Sequence, residues 1–267
     1  MNPYVLMALA AALGTWLITA LGAATVAFFK SPNPKSLNIM LGFASGVMIA
    51  ASFWSLLQPA VERAEQAKTA PAWAVVTSGF LMGAVFMWAS DKIVTASRRK
   101  ADSALGQRGE RLNRIIMLVL SITLHNIPEG LAVGVAFGAL NGAGHTAEHF
   151  MGAVTVALGI GLQNFPEGAA VSLPLRREGY SRRRSFLLGQ ASGMVEPVAA
   201  ALGALLVSYA ETVLPLALSF AAGSMILVAV HELIPECQRN QRSQPYFATM
   251  GIVAGFAVMM LLDVMLG

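Results

Sequence analysis

The sequence is poor in charged residues, has a single cysteine, and contains no basic residue before Lys30. Only 12% of its 267 residues are charged, whereas soluble domains carry about 25%. The lone Cys237 excludes an internal disulfide and says little about the redox compartment. The first 29 residues lack a basic segment, and the apolar run from Tyr4 to Phe29 is too long for the core of a signal peptide. We therefore expect a first membrane span rather than a cleaved signal.

Long apolar runs dominate what is present, since 56% of the residues are hydrophobic. A run of about 20 apolar residues crosses the hydrocarbon of a bilayer. The net charge of +4 does not indicate nucleic acid, because the basic residues lie in short connections between apolar runs and form no binding face. The lipid bilayer is therefore the expected surrounding.

The runs predict an all-α, polytopic membrane protein with eight transmembrane helices in one domain, residues 1–267. The longest connection, at about 95–113, is polar and is predicted to be a cytoplasmic loop. To within a few residues, the predicted helices are Pro3–Phe29, Leu37–Leu57, Pro71–Val94, Arg114–Leu140, Gly152–Leu175, Arg184–Ala210, Val213–Pro235 and Pro245–Gly267.

The distribution of lysine and arginine predicts the orientation. Sixteen of the 18 basic residues lie in odd-numbered connections and two in even-numbered ones. Connections rich in lysine and arginine face the cytoplasm. We therefore expect both termini outside, and the regular alternation supports a count of eight spans.

Two similar polar segments interrupt the apolar pattern near the middle of helices four and five. Residues 125–130 read His-Asn-Ile-Pro-Glu-Gly, and residues 163–168 read Gln-Asn-Phe-Pro-Glu-Gly. Because consecutive helices run antiparallel, the two segments form a short inverted repeat, a common setting for transport sites. Residues four apart share a helix face, so His125 projects with Glu129, and Gln163 projects with Glu167.

Further polar and soft side chains lie at a similar depth. Asn126 and Asn164 follow the first residue of each pair, Glu196 lies near the middle of helix six, and Met48 lies in helix two. One buried glutamate or histidine could be a hydrogen-bonded packing residue, and Met48 is more simply explained as core filler. Several such groups at one depth favour function, because each charge costs about 2.5–3.5 kcal/mol on insertion.

The combination of groups favours a divalent transition metal as cargo. Mutually repelling carboxylates require a cation or protons, imidazole suits zinc, copper, iron and nickel, and carboxylate extends the range towards manganese. No cysteine lies at this depth, which argues against a copper(I) site. The mixed donor set predicts modest affinity, which a transporter needs in order to release its cargo.

At these residues the chain resembles the ZIP (Zrt/Irt-like) family of metal transporters, and within it the bacterial GufA-like branch. The resemblance covers nearly the whole chain. It rests on residues 42–48 (Gly-Phe-Ala-Ser-Gly-Val-Met), both Pro-Glu-Gly segments, residues 193–197 (Gly-Met-Val-Glu-Pro) and residues 231–236 (His-Glu-Leu-Ile-Pro-Glu).

The resemblance implies a ZIP-type bundle that imports zinc, and often iron, manganese or cadmium, through a two-metal site. It assigns one metal to His125, Glu129, Gln163 and Glu167, with Met48 nearby. The second metal is assigned to Asn126, Asn164 and Glu196, bridged by Glu129 and Glu167, and His231 and Glu232 are assigned to the cytoplasmic exit. Many relatives have histidine at 163 and an acidic residue at 164, so we expect these departures to weaken metal binding, at the second site in particular.

Two other functions remain open. Residues 145–149, His-Thr-Ala-Glu-His, match a short metallopeptidase pattern, but they lie in a predicted external loop without a scaffold for an active site. A proton-coupled transporter of an organic solute could use the same carboxylates, although the aromatic and arginine residues expected around such a ligand are lacking. We expect a multi-pass protein of a bacterial inner (plasma) membrane, no enzyme activity, no resident cofactor and divalent metal ions as partners, with a homodimer left open.

Overall fold

The computed structural model describes residues 2–29, 33–68, 70–104, 107–141, 147–177, 179–238 and 246–266. Within these ranges the chain forms eight helical segments and no strand. The segments are α1 (Pro3–Ala23, then a 3₁₀ turn at Ala24–Ala27), α2 (Pro34–Ala51, a π-helical turn at Ser52–Leu57, and Gln58–Ala67), α3 (Ala72–Ala104), α4 (Gln107–Gly138, then Ala139–Asn141), α5 (Ala147–Arg177), α6 (Arg182–Ala191, a 3₁₀ turn at Ser192–Met194, and Val195–Tyr209), α7 (Glu211–Val213, Leu214–Val228, a π-helical turn at Ala229–Leu233, and Ile234–Gln238) and α8 (Tyr246–Leu266). The prediction of an all-α membrane protein is confirmed.

Six of the described segments, namely α1, α2, α3, α6, α7 and α8, are long and apolar enough to cross a membrane. The helices that carry the two polar segments, α4 and α5, are not among them. Glutamine, asparagine, glutamate and proline in the middle of α5 lower its hydropathy. In α5, the residue types that mark the site therefore conceal the helix from a hydropathy criterion, and the count of eight spans stays a prediction.

Local sequence explains where several helices begin and end. The side chains of Asn2 and Asn33 each accept a hydrogen bond from the backbone N–H two residues further on, at 3.0 Å, and each precedes a proline in the first turn. Ser181 caps α6 through its hydroxyl, which accepts a hydrogen bond from the backbone N–H of Arg184, three residues further on. The last helical part of α2 ends at Lys68 with φ of 50°, and Gly179, with φ of 93°, turns the chain between α5 and α6.

The predicted loop at 95–113 differs from the structure. The third helix continues to Ala104, and the fourth already begins at Gln107. No proline or glycine lies between residues 95 and 104, so loss of hydropathy there marks the end of the apolar run and not the end of the helix. Similarly, α5 begins at Ala147, earlier than predicted. Residues 105–106 and 142–146 lie outside the described residues, and the cytoplasmic placement of 95–113 stays a prediction.

The helices pack in close pairs, α1 with α5, α2 with α8, α3 with α7, and α4 with α6. Glycines permit the close contact. A Cβ at Gly46 would overlap the backbone of Ile252 on α8, and a Cβ at Gly134 would overlap the backbone of Ala200 on α6. Small residues are the usual means of bringing helices together in membranes, where lipid offers no hydrophobic driving force. The two polar segments are thus held between α1 and α6.

We expect both termini outside the cell, because the basic residues lie in the odd-numbered connections. In a Cys237→Ser background, an impermeant maleimide should label Asn141→Cys in intact cells, and it should label Ala104→Cys only after permeabilisation. Labelling of residue 104 from outside would show that the orientation is reversed.

Candidate metal site

Three glutamates from three helices converge inside the bundle. The carboxylates of Glu129 on α4, Glu167 on α5 and Glu196 on α6 lie close enough for their charges to repel one another. Their exposed fractions are 0%, 8% and 0%, respectively. An ionised carboxylate is costly in an apolar environment unless it is paired or hydrogen-bonded. How each carboxylate is compensated therefore indicates what it can do.

Glu129 is the least compensated of the three. Both of its carboxylate oxygens are buried and lack a hydrogen-bond partner among the described residues. The Gln163 amide lies beside it, and both polar atoms of that amide are also buried without a hydrogen-bond partner. Leaving such groups unsatisfied normally costs about 1–3 kcal/mol each, and more for a charge. A charged or polar group bound beside Glu129 and Gln163 would remove this cost.

Glu196, in contrast, is surrounded by donors. The Thr15 hydroxyl donates to its Oε2 at 2.6 Å, and the Thr19 hydroxyl lies 3.5 Å from Oε1. The Asn164 amide nitrogen donates to Oε1 and Oε2 at 3.0 and 2.9 Å. Glycine brings the backbone close here, because a Cβ at Gly130 would lie 2.5 Å from the carbonyl oxygen of Glu196. Two helices, α1 and α5, thus satisfy the carboxylate that α6 supplies.

The neighbouring residues His231 and Glu232 point to different places. They lie in the π-helical turn of α7, an element that is frequent at functional sites. Glu232 reaches the cluster, with its Oε1 2.8 Å from Nε2 of His125, and its charge also acts on Glu167. The His231 side chain is 64% exposed and lies 3.9 Å from Asp91 on α3. The structure therefore brings Glu232 to the predicted ligands and leaves His231 outside.

Met48 is completely buried within the main apolar core, so packing alone accounts for its position, and its role as a ligand stays a prediction. Among the described residues, no three His, Cys, Asp or Glu side chains are grouped so that they could hold a metal ion. His125 lies against Glu232, and residues 163 and 164 are amides. A metal held here would need amide ligands as well as carboxylates.

Three polar residues of the membrane helices were missed by the sequence analysis. Thr15 and Thr19 on α1 face Glu196, and their spacing of four residues in an otherwise apolar helix was a usable signal. Asp263 on α8 accepts a hydrogen bond from the Ser55 hydroxyl at 2.6 Å. It is an acidic residue within a predicted span, which by itself indicates function or a specific partner.

A cavity of about 540 Å³ opens between α2, α4, α5, α7 and α8. Its polar lining includes Glu62, Glu148, His149 and Asp263. The metallopeptidase-like pattern at 145–149 ends in this lining, while its first two residues lie outside the described residues. In the predicted orientation the cavity lies on the outer side.

Zinc transporters of both animals and bacteria are similar to this chain over nearly its whole length. A family model described as "ZIP Zinc transporter" matches residues 96–263. The chain is 40% identical to zinc transporter ZIP11 of Xenopus tropicalis, over 98% of each protein. It is 39% identical to zinc transporter ZIP11 of Homo sapiens, over 95% of each. Zinc transporter GufA of Myxococcus xanthus is 37% identical, over 93% of this chain and 94% of that protein.

Proposed function

The chain belongs to the ZIP zinc transporter family, as its motifs indicated, and we propose that it carries divalent metal ions, zinc foremost, across a membrane into the cytoplasm. Iron, manganese and cadmium fit the same donor set. The transported ion is the substrate, and the residues we assign to it are His125, Glu129, Gln163 and Glu167, with Met48 as a soft ligand. The similarity to named zinc transporters supports zinc in particular.

The observation that carries this proposal is the unsatisfied pair at the centre of the bundle. Among the described residues, the two carboxylate oxygens of Glu129 and the amide oxygen and nitrogen of Gln163 are buried and meet no partner at hydrogen-bond geometry, in a helix bundle surrounded by lipid. A dication would compensate both Glu129 and Glu167 and would accept the Gln163 carbonyl as a neutral ligand. Because the donors are mixed and partly neutral, binding would be weak enough to allow release.

The cavity and the π-helical turn of α7 would form the outer and inner ends of the metal ion's path through the protein. On the outer side, the carboxylates of Glu148 and Asp263 would attract cations into the cavity. On the inner side, Glu232 holds the imidazole of His125 at 2.8 Å. A metal would bind His125 through Nδ1 while Glu232 keeps the imidazole oriented through Nε2, and Glu232 would then guide the ion towards the cytoplasm.

The two rival functions receive less support. The relatives match this chain over nearly their whole length and are named zinc transporters. Those names support neither a peptidase nor a carrier of organic solutes. Location in a bacterial inner membrane stays a prediction from the sequence, because both animal and bacterial proteins match. A homodimer likewise stays open.

The proposal is tested by zinc uptake into proteoliposomes that contain the purified chain and a trapped zinc-sensitive dye. We expect uptake well above that of protein-free liposomes, with iron, manganese and cadmium competing. The same sample incubated with peptide substrates serves as the test of the peptidase alternative. Hydrolysis of peptide without zinc uptake would replace our proposal by that alternative.

Glu232 provides a separate prediction about the exit. Replacing it with alanine removes the partner of His125, and loss of such an outer partner usually costs about 10–100-fold in affinity or activity. We therefore expect Glu232→Ala to lower the initial uptake rate by about 10-fold or more, with a smaller change in the zinc affinity. Glu65→Ala, at an exposed position on α2, is the matched control, because it removes the same side chain away from the cluster. Equal rates for both variants would contradict the role of Glu232.

A further inference from the structure

Glu129 and Glu196 are equally buried but differ completely in their hydrogen bonding. Both are 0% exposed. The two oxygens of Glu129 have no partner among the described residues, whereas those of Glu196 are bonded to side chains of α1 and α5. The family resemblance assigns a metal to each half of the cluster, one near Glu129 and one near Glu196. The two halves of the cluster therefore differ in the hydrogen bonding of their glutamates.

The carboxylate of Glu196 is already engaged by neutral donors on both of its oxygens. An ionised carboxylate offers about four acceptor sites, two on each oxygen. The Asn164 amide nitrogen lies 3.0 Å from Oε1 and 2.9 Å from Oε2. The Thr15 hydroxyl donates to Oε2 at 2.6 Å, and the Thr19 hydroxyl makes a longer contact with Oε1, at 3.5 Å. The neutral donors thus perform the compensation that a cation would otherwise provide.

The hydrogen bonding of Glu196 depends on residue 164 being an amide. The Asn164 amide can donate hydrogen bonds, and its nitrogen also lies 3.3 Å from the carbonyl oxygen of Thr15. A carboxylate at this position would be acceptor-only and would repel Glu196, so that the pair would then require a cation. Among the described residues, the Oδ1 atoms of Asn126 and Asn164 are buried acceptors without a hydrogen-bond partner. Both are neutral, so they add no charge to that of the glutamates.

We infer that this chain holds a single metal ion, in the half of the cluster formed by Glu129, Gln163 and Glu167, and that the hydrogen-bonded Asn164 amide takes the place of a second ion beside Glu196. This inference rests on the proposed function. It names Thr15 and Thr19 of α1 as the residues that keep Glu196 satisfied without metal. Transport then proceeds with one ion at a time at this site.

The number of ions bound is the direct test. The purified full-length chain in detergent is equilibrated with Zn²⁺ alone, and the bound zinc per chain is measured by equilibrium dialysis and elemental analysis. We expect about one ion for the wild type and about two for Asn164→Asp, which restores a metal-ligating carboxylate. Asn141→Asp is the matched control, because it adds the same charge at an exposed position at the end of α4 and should keep about one ion.

A second pair of variants separates the two halves without relying on Asn164→Asp. Glu129→Gln should remove the bound ion, whereas Glu196→Gln should leave its number unchanged, since Glu196 holds none. Two ions bound to the wild type, or loss of an ion in Glu196→Gln, would overturn the inference while leaving the proposed function intact. A second ion missing from Asn164→Asp would also overturn it. Wild-type protein that binds no zinc would instead contradict the proposed function.

Discussion

Glu129→Gln is expected to abolish most metal transport while the protein still inserts and folds, and Glu167→Gln is expected to do the same. Glutamine preserves the size of the side chain but removes the charge that would hold the ion. Loss of an outer-shell partner alone costs about 10–100-fold, so loss of a direct ligand should lower the uptake rate by at least about 100-fold. Uptake into proteoliposomes, normalised to reconstituted protein, is the measurement.

Because Glu129 has no hydrogen-bond partner among the described residues, we also expect an effect of Glu129→Gln on thermal stability. Glutamine cannot carry the charge that burial penalises, so metal-free Glu129→Gln should be at least as thermally stable as the wild type. Zinc should raise the Tm of the wild type by mass action and should have no such effect on the variant. Glu65→Gln, at an exposed position on α2, is the matched control and should behave like the wild type. Wild-type uptake by both Glu129→Gln and Glu167→Gln would place the transported ion elsewhere.

Gly130→Ala is expected to destabilise the bundle beside the site. The added Cβ would lie 2.5 Å from the carbonyl oxygen of Glu196 and 2.8 Å from the Cβ of Ala199. The first of these atoms belongs to the backbone, so α4 and α6 must move apart. Overpacking of this kind costs about 1–3 kcal/mol, which exceeds the gain of up to about 1 kcal/mol from replacing glycine by alanine within a helix.

The measurements are the Tm in detergent and the zinc uptake rate, and both should fall in Gly130→Ala because Glu196 shifts relative to Glu129. Gly14→Ala on α1 is the matched control, since a Cβ there meets nothing within 4 Å. Its Tm should be unchanged or slightly higher. If the two variants were equally stable, the close packing of α4 against α6 would not be what positions this part of the cluster.

Hydropathy predicts the existence of the helices better than it predicts where they begin and end. The apolar runs located all eight segments, because the bilayer demands long uninterrupted stretches of apolar side chains. They misplaced the end of α3 and the beginning of α4, where the chain stays helical from the apolar run into charged residues up to Ala104 and again from Gln107. Hydropathy reports the surroundings of a residue, and helical hydrogen bonds can continue when those surroundings change.

The ligand candidates could be identified along the chain because each pair lies on a single helix. His125 with Glu129, and Gln163 with Glu167, are separated by four residues, and that spacing alone places them on one helix face. Thr15 and Glu196 are 181 positions apart in sequence, and His125 and Glu232 come from α4 and α7. No periodicity relates such residues, so their pairing could not be anticipated.

Membrane location, helical class, family and the polar motifs are therefore properties that can be read along the chain, because they depend on local composition and on spacing within one helix. Which carboxylate is satisfied and which is left open depends on packing between helices. Gly130 brings the backbones of α4 and α6 together, and Gly193 leaves room for the side chains of α1. The donors of α1 and α5 then reach Glu196 but not Glu129. That difference arises only when four helices meet, because a hydrogen bond requires a donor within about 3 Å regardless of its position in the sequence.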